Sequence, residues 1–437
     1  MLLLLSSSSV SAFQSLRAPT TRRCLLRRQI VSTKLMMCPA AQLTTLTRTN
    51  NCIIRNISTI TTTTLSSHKD DDNISESENN FPYTTLDDTI DSSSSSFTTS
   101  RNLQHTLHTI EYAAYTAGQI ALNTAGQIAI KSTKANLRDL VTESDVKCQQ
   151  LIRDIITKEF PNDLFLGEED VDLSLDSSGA SRDALEKVLL SGGTSSSSGS
   201  NDSKGTEEER LLFIVDPIDG TTNFQAGLPF YAVSIGVILL PSSSSSSSSS
   251  PEVVAGVIYN PTLGEMTSAV RGRGCYLNNR RLNPPQKQQQ QQQVSSQQQQ
   301  QTLPPRTSIL NQSLINVGFP ISKESTLRAS SKAVSALATK VRGLRMIACA
   351  SQGMAWVAQS KFNAYFSWDL NGWDVAAGIV IVEESGGLVS NMLDGGSRAD
   401  VGCRDMIITC PCERRGEEGL LRDELIEVLK ENDCFEY

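Results

Sequence analysis

The spacing of apolar residues changes period several times along the chain, and each change marks an element. Between Leu103 and Ile130, the residues Leu107, Ile110, Ala114, Ala117 and Ile120 recur every three or four positions, which predicts an amphipathic helix. The pentapeptide Ala117-Gly118-Gln119-Ile120-Ala121 returns as Ala125-Gly126-Gln127-Ile128-Ala129. That period of eight is close to two helical turns, so both copies are expected on one face of this helix. Thr142 or Ser144 is placed to cap a second helix running to about Phe160. Leu164-Phe165-Leu166 reads as a short strand ending at Gly167-Glu168-Glu169, and Leu211 to Val215 as a buried strand running straight into Asp216. Apolar runs at Tyr231–Leu240, Val253–Tyr259 and Glu265–Val270 predict antiparallel neighbours. Beyond them, helices are expected near Ser325–Thr339, Ser351–Gln359, Trp373–Glu384 and Glu417–Glu431, with strands near Ile315 and Ile407. Helices and strands mixed in this way imply a layered α/β domain over residues 101–437.

Three stretches carry no such period. Residues 173–209 are rich in Ser, Gly and charge, 242–250 are polyserine, and 284–305 are largely polyglutamine. Each falls where a turn is due and is expected to be an inert surface expansion, since doubling a loop costs only about 0.6 kcal/mol. These tracts also explain why only 38% of the 437 residues are hydrophobic. No run of about 18 apolar residues occurs, so neither a spanning helix nor a membrane partner is expected.

Charge divides the chain. Nine of its 39 basic residues precede Asp70, and all 47 acidic residues lie at or after it. The acidic body argues against a nucleic-acid partner and suits a protein that gathers carboxylates around cations. The acid-free head begins with an apolar run, Leu2–Leu5, followed by Ser9-Val10-Ser11-Ala12-Phe13 and an Arg/Ser/Thr-rich stretch. It resembles the bipartite presequences that address proteins to secondary plastids, with a mitochondrial presequence or a cytoplasmic protein with a disordered head as alternatives. Residues 68–100 hold few aliphatics and are expected to be linker, so residues 1–100 are read as presequence and linker. The ten cysteines form no CxxC pair and imply free thiols in a reducing compartment.

The candidate chemistry narrows quickly. His68, His105 and His108 all precede the acidic motifs, which argues against a phosphohistidine mechanism or an imidazole zinc site. Cys275 and Arg281 match the bare Cys-x5-Arg spacing of cysteine phosphatases. The residues between lack glycines to cradle a phosphate, and Asn278-Asn279 reads instead as a hairpin turn. The carboxylates carry more information. Asp216 ends a buried strand, Pro217 fixes the next backbone, and Asp219-Gly220 follows, so two acids can share one side of a bend. Thr221-Thr222-Asn223 can open a short helix whose N–H groups suit an anion. Taken alone, this pattern is also compatible with a plain strand-to-turn connection.

The stretch Asp216-Pro217-Ile218-Asp219-Gly220-Thr221-Thr222-Asn223-Phe224 resembles the signature of the inositol monophosphatase family. Gly167-Glu168-Glu169, Trp373-Asp374-Val375-Ala376-Ala377-Gly378 and Asp139-Leu140-Val141-Thr142-Glu143-Ser144-Asp145 match further family elements in the same order. The resemblance implies a five-layer α-β-α-β-α sandwich, commonly dimeric, of the type shared with fructose-1,6-bisphosphatase. It implies Mg²⁺ held by Glu168, Asp216, the Ile218 carbonyl, Asp219 and Asp374, with Asp216 bridging two ions. Glu168 and Thr221 are then expected to orient and deprotonate a metal-bound water, and the N–H groups of Gly220 and Thr221 to hold phosphate oxygens. Glu169 is expected to be a neighbour rather than a ligand and Trp373 packing. Asp139 and Asp145 are expected to act indirectly, with a more weakly held third cation or a plain helix cap as the alternatives. Lys134 is expected to be an exposed lysine, with a phosphate contact as its alternative.

Substrate choice departs from the family pattern. The Glu that inositol-phosphate relatives carry seven residues before the metal-binding Asp is Ser367 here, with Asp369 close by as a possible acceptor for a sugar hydroxyl. The family's Gly-Ser/Thr-Ala-Ala turn is Ala348-Cys349-Ala350-Ser351. Asp219, Ala350, Ser367 and Asp369 are therefore the candidate substrate contacts. The expected substrate is a small phosphorylated polyol, sugar or histidinol. Nucleotide 3′- or 2′-phosphatases are the runner-up, disfavoured because their Lys-Gly stands here as Thr222-Asn223, and a non-catalytic scaffold relative is the third reading.

Overall fold

In chain order, α1 (Leu103–Thr124) leads to a two-stranded antiparallel ribbon, β1 (Ile130–Thr133) and β2 (Leu140–Thr142), and then to α2 (Glu143–Glu159), β3 (Leu164–Gly167) and α3 (Ser177–Gly192). Next come β4 (Arg210–Asp219), α4 (Thr221–Gln225), β5 (Ala232–Leu240), β6 (Glu252–Asn260), β7 (Glu265–Val270), β8 (Gly274–Leu277) and β9 (Arg280–Leu282). The last third holds β10 (Leu314–Val317), α5 (Glu324–Leu337), β11 (Gly343–Arg345), α6 (Ala350–Ala358), β12 (Ala364–Ser367), α7 (Gly372–Glu384), β13 (Leu388–Asn391), β14 (Met406–Thr409) and α8 (Leu420–Glu431). The computed structural model describes residues 81–83, 99, 101–127, 130–133, 140–171, 177–192, 209–240, 251–282, 309–320, 323–411 and 419–436. All of these fall within one unit, Lys69–Tyr437.

Strand alternation sets the layering. A seven-stranded sheet has the order β3-β4-β5-β6-β7-β8-β9, with β3 parallel to β4 and every other pair antiparallel. On β4, Leu211, Phe213 and Val215 point into one core with α1 and α2, through Leu107, Ile110 and Ile152. Leu212 and Ile214 point the other way, into a core shared with α6 and α7. A five-stranded mixed sheet, β11-β10-β12-β14-β13, closes that second core with Tyr365, Met406 and Ile408. Its opposite face gives Ile315, Phe366 and Ile407 to a third core under α5 and α8. The stack is therefore α1α2, sheet, α6α7, sheet, α5α8, the five-layer α-β-α-β-α sandwich that the resemblance implied.

Three expectations are revised. The first helix stops at Thr124 rather than near Ile130, because Gly126 turns left-handed (φ +73°) and its N–H goes to the Phe224 carbonyl at 2.9 Å. The second copy of the repeat is thereby taken off the helix, and Ile130 starts a strand. The stretch 173–209 is not wholly an inert expansion, since α3 lies within it and Leu185 is buried in the central core. Its signal was the spacing of Leu185, Val188 and Leu189. Finally, Phe81 and Tyr83, read as linker, pack edge-on against α1 and β6: Phe81 on His108, Tyr112 and Tyr115, and Tyr83 on Tyr115 and Tyr259. The Asn278-Asn279 turn joins β8 to β9 with both residues at positive φ, as a type I′ hairpin requires. Among the described residues, no helix is long and apolar enough to cross a membrane.

Glu111, on the inner face of α1, is only 4% exposed, and Ser268 Oγ donates to its Oε1 at 2.6 Å. Burial disfavours the charged carboxylate and pushes its pKa up to about 7, with the Ser268 bond offsetting part of that. The folded state thus keeps a proton that the unfolded chain releases. Its contribution to stability is complete below the ordinary value of 4.5 and is lost as pH rises through about 7. Glu111→Gln is predicted to reduce the fall in unfolding free energy between about pH 5 and about pH 8 by roughly 3 kcal/mol. Urea titrations of both proteins at the two pH values measure it, and parallel pH dependences would contradict it.

Candidate active site

Two backbone devices bring the acids of β4 to one side. Asp216 pairs with Ser234 and Asp219 with Ala232, so four residues of β4 oppose three of β5. Without that bulge, residues three apart on a strand would face opposite ways. Pro217 sits inside the bulge, where its missing N–H leaves no ladder bond unmade. Ile218 N–H donates back to Asp216 Oδ1 at 3.0 Å and closes the bend. Gly220 then turns left-handed (φ +87°), and a Cβ there would lie 2.7 Å from the Phe230 carbonyl oxygen. Asn223 Nδ2 ties the following turn to the Phe230 and Ile347 carbonyls at 2.8 and 2.7 Å.

Glu168 and Asp374 come from other elements. Gly167 leaves room for the Gln149 carboxamide of α2, which a Cβ would meet at 2.2 Å. Gln149 Oε1 accepts Glu169 N–H at 2.9 Å, and Asp170 accepts Gly167 N–H at 2.9 Å, fixing the short turn that carries Glu168. Asp374 opens α7 and accepts the Asn371 N–H at 2.7 Å. The helix lies close to the large sheet: Cβ atoms at Gly236 and Gly256 would meet Ala376 and Ala377 at 2.5–2.8 Å.

These residues line one cavity of about 340 Å³. Glu168, Asp216, Ile218, Asp219, Gly220, Thr221 and Asp374 are all on its wall, as are the candidate substrate contacts Ala350, Ser367 and Asp369. That volume lies at the small end of ligand pockets, about 300–1,000 Å³. Burial raises the Asp219 carboxyl, opposed by bonds to its Oδ2 from Ser351 N and Oγ, both at 2.6 Å, and from Cys349 Sγ at 3.3 Å. Asp374 is pushed well above its ordinary range, first by burial and then by the charges of Asp219 and Glu168. These three acids therefore feel one another across the cavity. As placed, no three acidic, His or Cys side chains among the described residues close around a single point. The Oδ2 atoms of Asp219 and Asp374 are turned onto Ser351 and Asn371 instead. In kind, carboxylate and carbonyl oxygens are the donors a hard divalent cation takes.

Other expectations resolve by position. Lys134 and Asp139 lie outside the described residues, as does His68. His105 and His108 are on α1, and neither these nor Glu169 lines the cavity. Cys275 is buried in the central core with its thiol raised by burial, which leaves it unfit as a nucleophile. Trp373 is buried packing. Asp145 proves more directly engaged than its sequence position suggested. Its Oδ2 accepts the Thr142 N–H at 2.9 Å and caps α2, while its Oδ1 lies 3.3 Å from Thr221 Oγ1. Thr221 Oγ1 is also 3.1 Å from the Ile218 carbonyl oxygen. The sequence signals for that residue were the capping pattern Thr-x-x-Asp and the family element Asp139–Asp145 that ends on it. Arg404 and Asn316 on the cavity wall carried no signal at all, while Cys349 was marked only as part of the Ala348–Ser351 turn. Ala348, where the family has Gly, holds a left-handed backbone (φ +51°) at the cavity edge.

Comparison with known proteins agrees with this geometry. Residues 102–424 match the inositol monophosphatase family. Inositol monophosphatase 1 of Solanum lycopersicum is 30% identical over 275 residues, 62% of this chain and 79% of that protein. Inositol-1-monophosphatase of Caulobacter vibrioides is 28% identical over 284 residues, 65% of this chain and 88% of that protein. The solved extragenic suppressor protein suhB of Bartonella henselae superposes with a TM-score of 0.52 at 26% identity, over 75% of this chain and 98% of that one. The chain belongs to the inositol monophosphatase family, and it is a phosphoric monoester hydrolase.

Proposed function

We propose that the protein hydrolyses a small phosphate monoester of a polyol or sugar with the help of Mg²⁺ and a water nucleophile. The observation that carries this reading is the convergence of Glu168, Asp216, Asp219 and Asp374, from three separate elements, on one small cavity. Those carboxylates and the Ile218 carbonyl would hold the ion. When bound, Mg²⁺ supplies Lewis-acid polarisation of the phosphoryl group and activation of the water.

The chain's own groups do the rest. Gly220 and Thr221 present main-chain N–H groups where the bulge opens onto the cavity, and these hold phosphate oxygens. Thr221 Oγ1 orients the attacking water. Asp145, buried behind it, receives the proton that Thr221 passes on. Glu168, half-buried at the wall, is a second base. The Cys349 and Ser351 contacts steady Asp219 between the catalytic turn and α6. As the resemblance implies, we take the working form to be a homodimer.

Asp219→Asn is predicted to lower kcat by at least about a hundredfold. Its thermal midpoint should stay level or rise, since a buried charge is removed. Phosphate release and calorimetry on one preparation test both halves. Chelation by EDTA should abolish phosphate release and added Mg²⁺ should restore it; full activity in EDTA would refute the metal-dependent reading. For Asp145→Asn, kcat is expected to drop by about 10²-fold with KM little changed. A KM effect alone would make Asp145 only a helix cap. Plastid targeting by residues 1–100 is proposed from the acid-free, Arg/Ser/Thr-rich composition of the part before Asp70. A fluorescent reporter fused behind them should enter the plastid, and diffuse cytosolic signal would count against it.

A further inference from the structure

The cavity has two chemically different ends. Glu168, Asp216, Asp219 and Asp374 form one. The other is walled by Ser367, Asp369 and Arg404, where β12 ends and the chain approaches β14. Asp369 has a left-handed backbone (φ +56°), a conformation that costs a non-Gly residue about 1 kcal/mol. Its side chain is only 4% exposed. Polar bonds hold it there. Arg404 donates from Nε at 3.1 Å and from Nη2 to Asp369 Oδ1, and from Nη2 at 3.3 Å to the Asp369 carbonyl. Asp405 Oδ1 accepts the Asp369 N–H at 3.1 Å. Lys323 Nζ reaches the same Oδ1 at 3.3 Å.

Oδ1 of Asp369 thus receives two cationic side chains, which makes it a poor acceptor for a substrate hydroxyl. Ser367, standing where inositol-phosphate relatives carry Glu, gives its hydroxyl proton to the Trp368 carbonyl at 3.1 Å. Where those relatives carry a glutamate this wall carries a serine, and the Asp369 carboxylate beside it is bonded to Arg404 and Lys323. The group exposed next to it is a lysine. The Lys323 side chain is 43% exposed, and an ammonium has three donors, of which one is directed at Asp369. Lys323 does not itself line the cavity, but its Nζ is 3.3 Å from Oδ1 of Asp369, which does, so the lysine stands beside the rim.

Resting on the phosphatase reading above, we infer that the preferred substrate carries a second anionic group, a carboxylate or another phosphate, remote from the phosphate that is cut. Lys323 receives it in exchange for its bond to Asp369, whose carboxylate Arg404 holds in place. The carboxylates at the reacting end take the cation and the scissile phosphate, while Lys323 at the far end selects for a second negative charge. Lys323 is a specificity residue and touches no reacting atom.

The test uses the full chain in Mg²⁺ and two matched substrate pairs. Sorbitol 6-phosphate and 6-phosphogluconate differ in a terminal alcohol against a carboxylate. Fructose 1-phosphate and fructose 1,6-bisphosphate differ in a second phosphate. The anionic member of at least one pair should show kcat/KM about tenfold above its neutral partner. Lys323→Gln, at an exposed site compatible with folding, should raise KM for that member about tenfold, leave its kcat nearly unchanged and spare the neutral partner. Asp369→Asn, which keeps a residue tolerant of left-handed backbone, should lower KM for the anionic member by freeing Lys323. The responding pair tells carboxylate from phosphate, and a response from either supports the inference. If p-nitrophenyl phosphate is hydrolysed but neither anionic member leads its partner, or if Lys323→Gln affects both members alike, the inference falls alone. If p-nitrophenyl phosphate and all four esters are inert, the phosphatase reading falls and takes this inference with it.

Discussion

Much of this structure depends on how closely α7 lies against the large sheet. Gly236 and Gly256 have no Cβ, and opposite them α7 carries Ala376 and Ala377. Gly378 accepts Met354 of α6 in the same way, with Met354 Sδ only 2.4 Å from where a Cβ would stand. Small residues on both surfaces let backbone meet backbone, which gains dispersion contacts and fixes the helix axially. Asp374, in the first turn of α7, is thereby carried to within electrostatic range of Asp219 and Glu168. A larger side chain at any of these positions would lift α7, and its first turn would leave the cavity. The Ala-Ala-Gly after Trp373-Asp374 is thus a packing requirement that serves the site.

The second constraint is electrostatic and acts against the fold. Gathering Asp216, Asp219, Asp374 and Glu168 around one small space raises the Asp219 and Asp374 carboxyls, because burial and like charge both disfavour ionisation. The chain bears this with bonds directed at particular atoms: two from Ser351 and one from Cys349 to Asp219, one from Asn371 to Asp374, one from Ile218 to Asp216. Such bonds orient the acids without neutralising them, which is what a divalent cation would do. At the other end of the cavity the acids are handled differently, with Lys323 and Arg404 bonded directly to Asp369. The site is therefore polarised along its length.

Several main-chain distortions border the same cavity. The bulge between Asp216 and Asp219, the left-handed Gly220, and two of the left-handed non-glycine residues, Ala348 and Asp369, border it. Regular strands present alternate residues to opposite faces, so a cluster of acids from one strand needs a departure from regularity. The surrounding layers are rigid enough to maintain it: Phe213 and Val215 are locked into the outer core, and Leu212 and Ile214 into the central one.

The sequence by itself determined the layered α/β class, most helices and strands, and the pairing of Asp216 with Asp219 at one bend, because those features are local. Hydrophobic period records which face is buried, and Asp-Pro-Ile-Asp-Gly-Thr records a bend whose chemistry is contained in nine consecutive residues. Only the tertiary structure decided the rest, because those features depend on atoms far apart in the chain. Gly126 leaves the first helix because Phe224, nearly a hundred residues on, takes its N–H. Asp145 becomes a partner of Thr221 through a bond spanning 76 residues. Asp369 loses its availability as a hydroxyl acceptor to Arg404 and Lys323, which no spacing rule connects to it. Residues 81–83 and α3 looked like linker and insert because their neighbourhoods are polar, yet a few rings and leucines suffice once a core exists to receive them. Two acids and the bend between them were written in consecutive residues; the cavity they share with Glu168, Asp374 and Asp145 exists only once the fold brings those groups together.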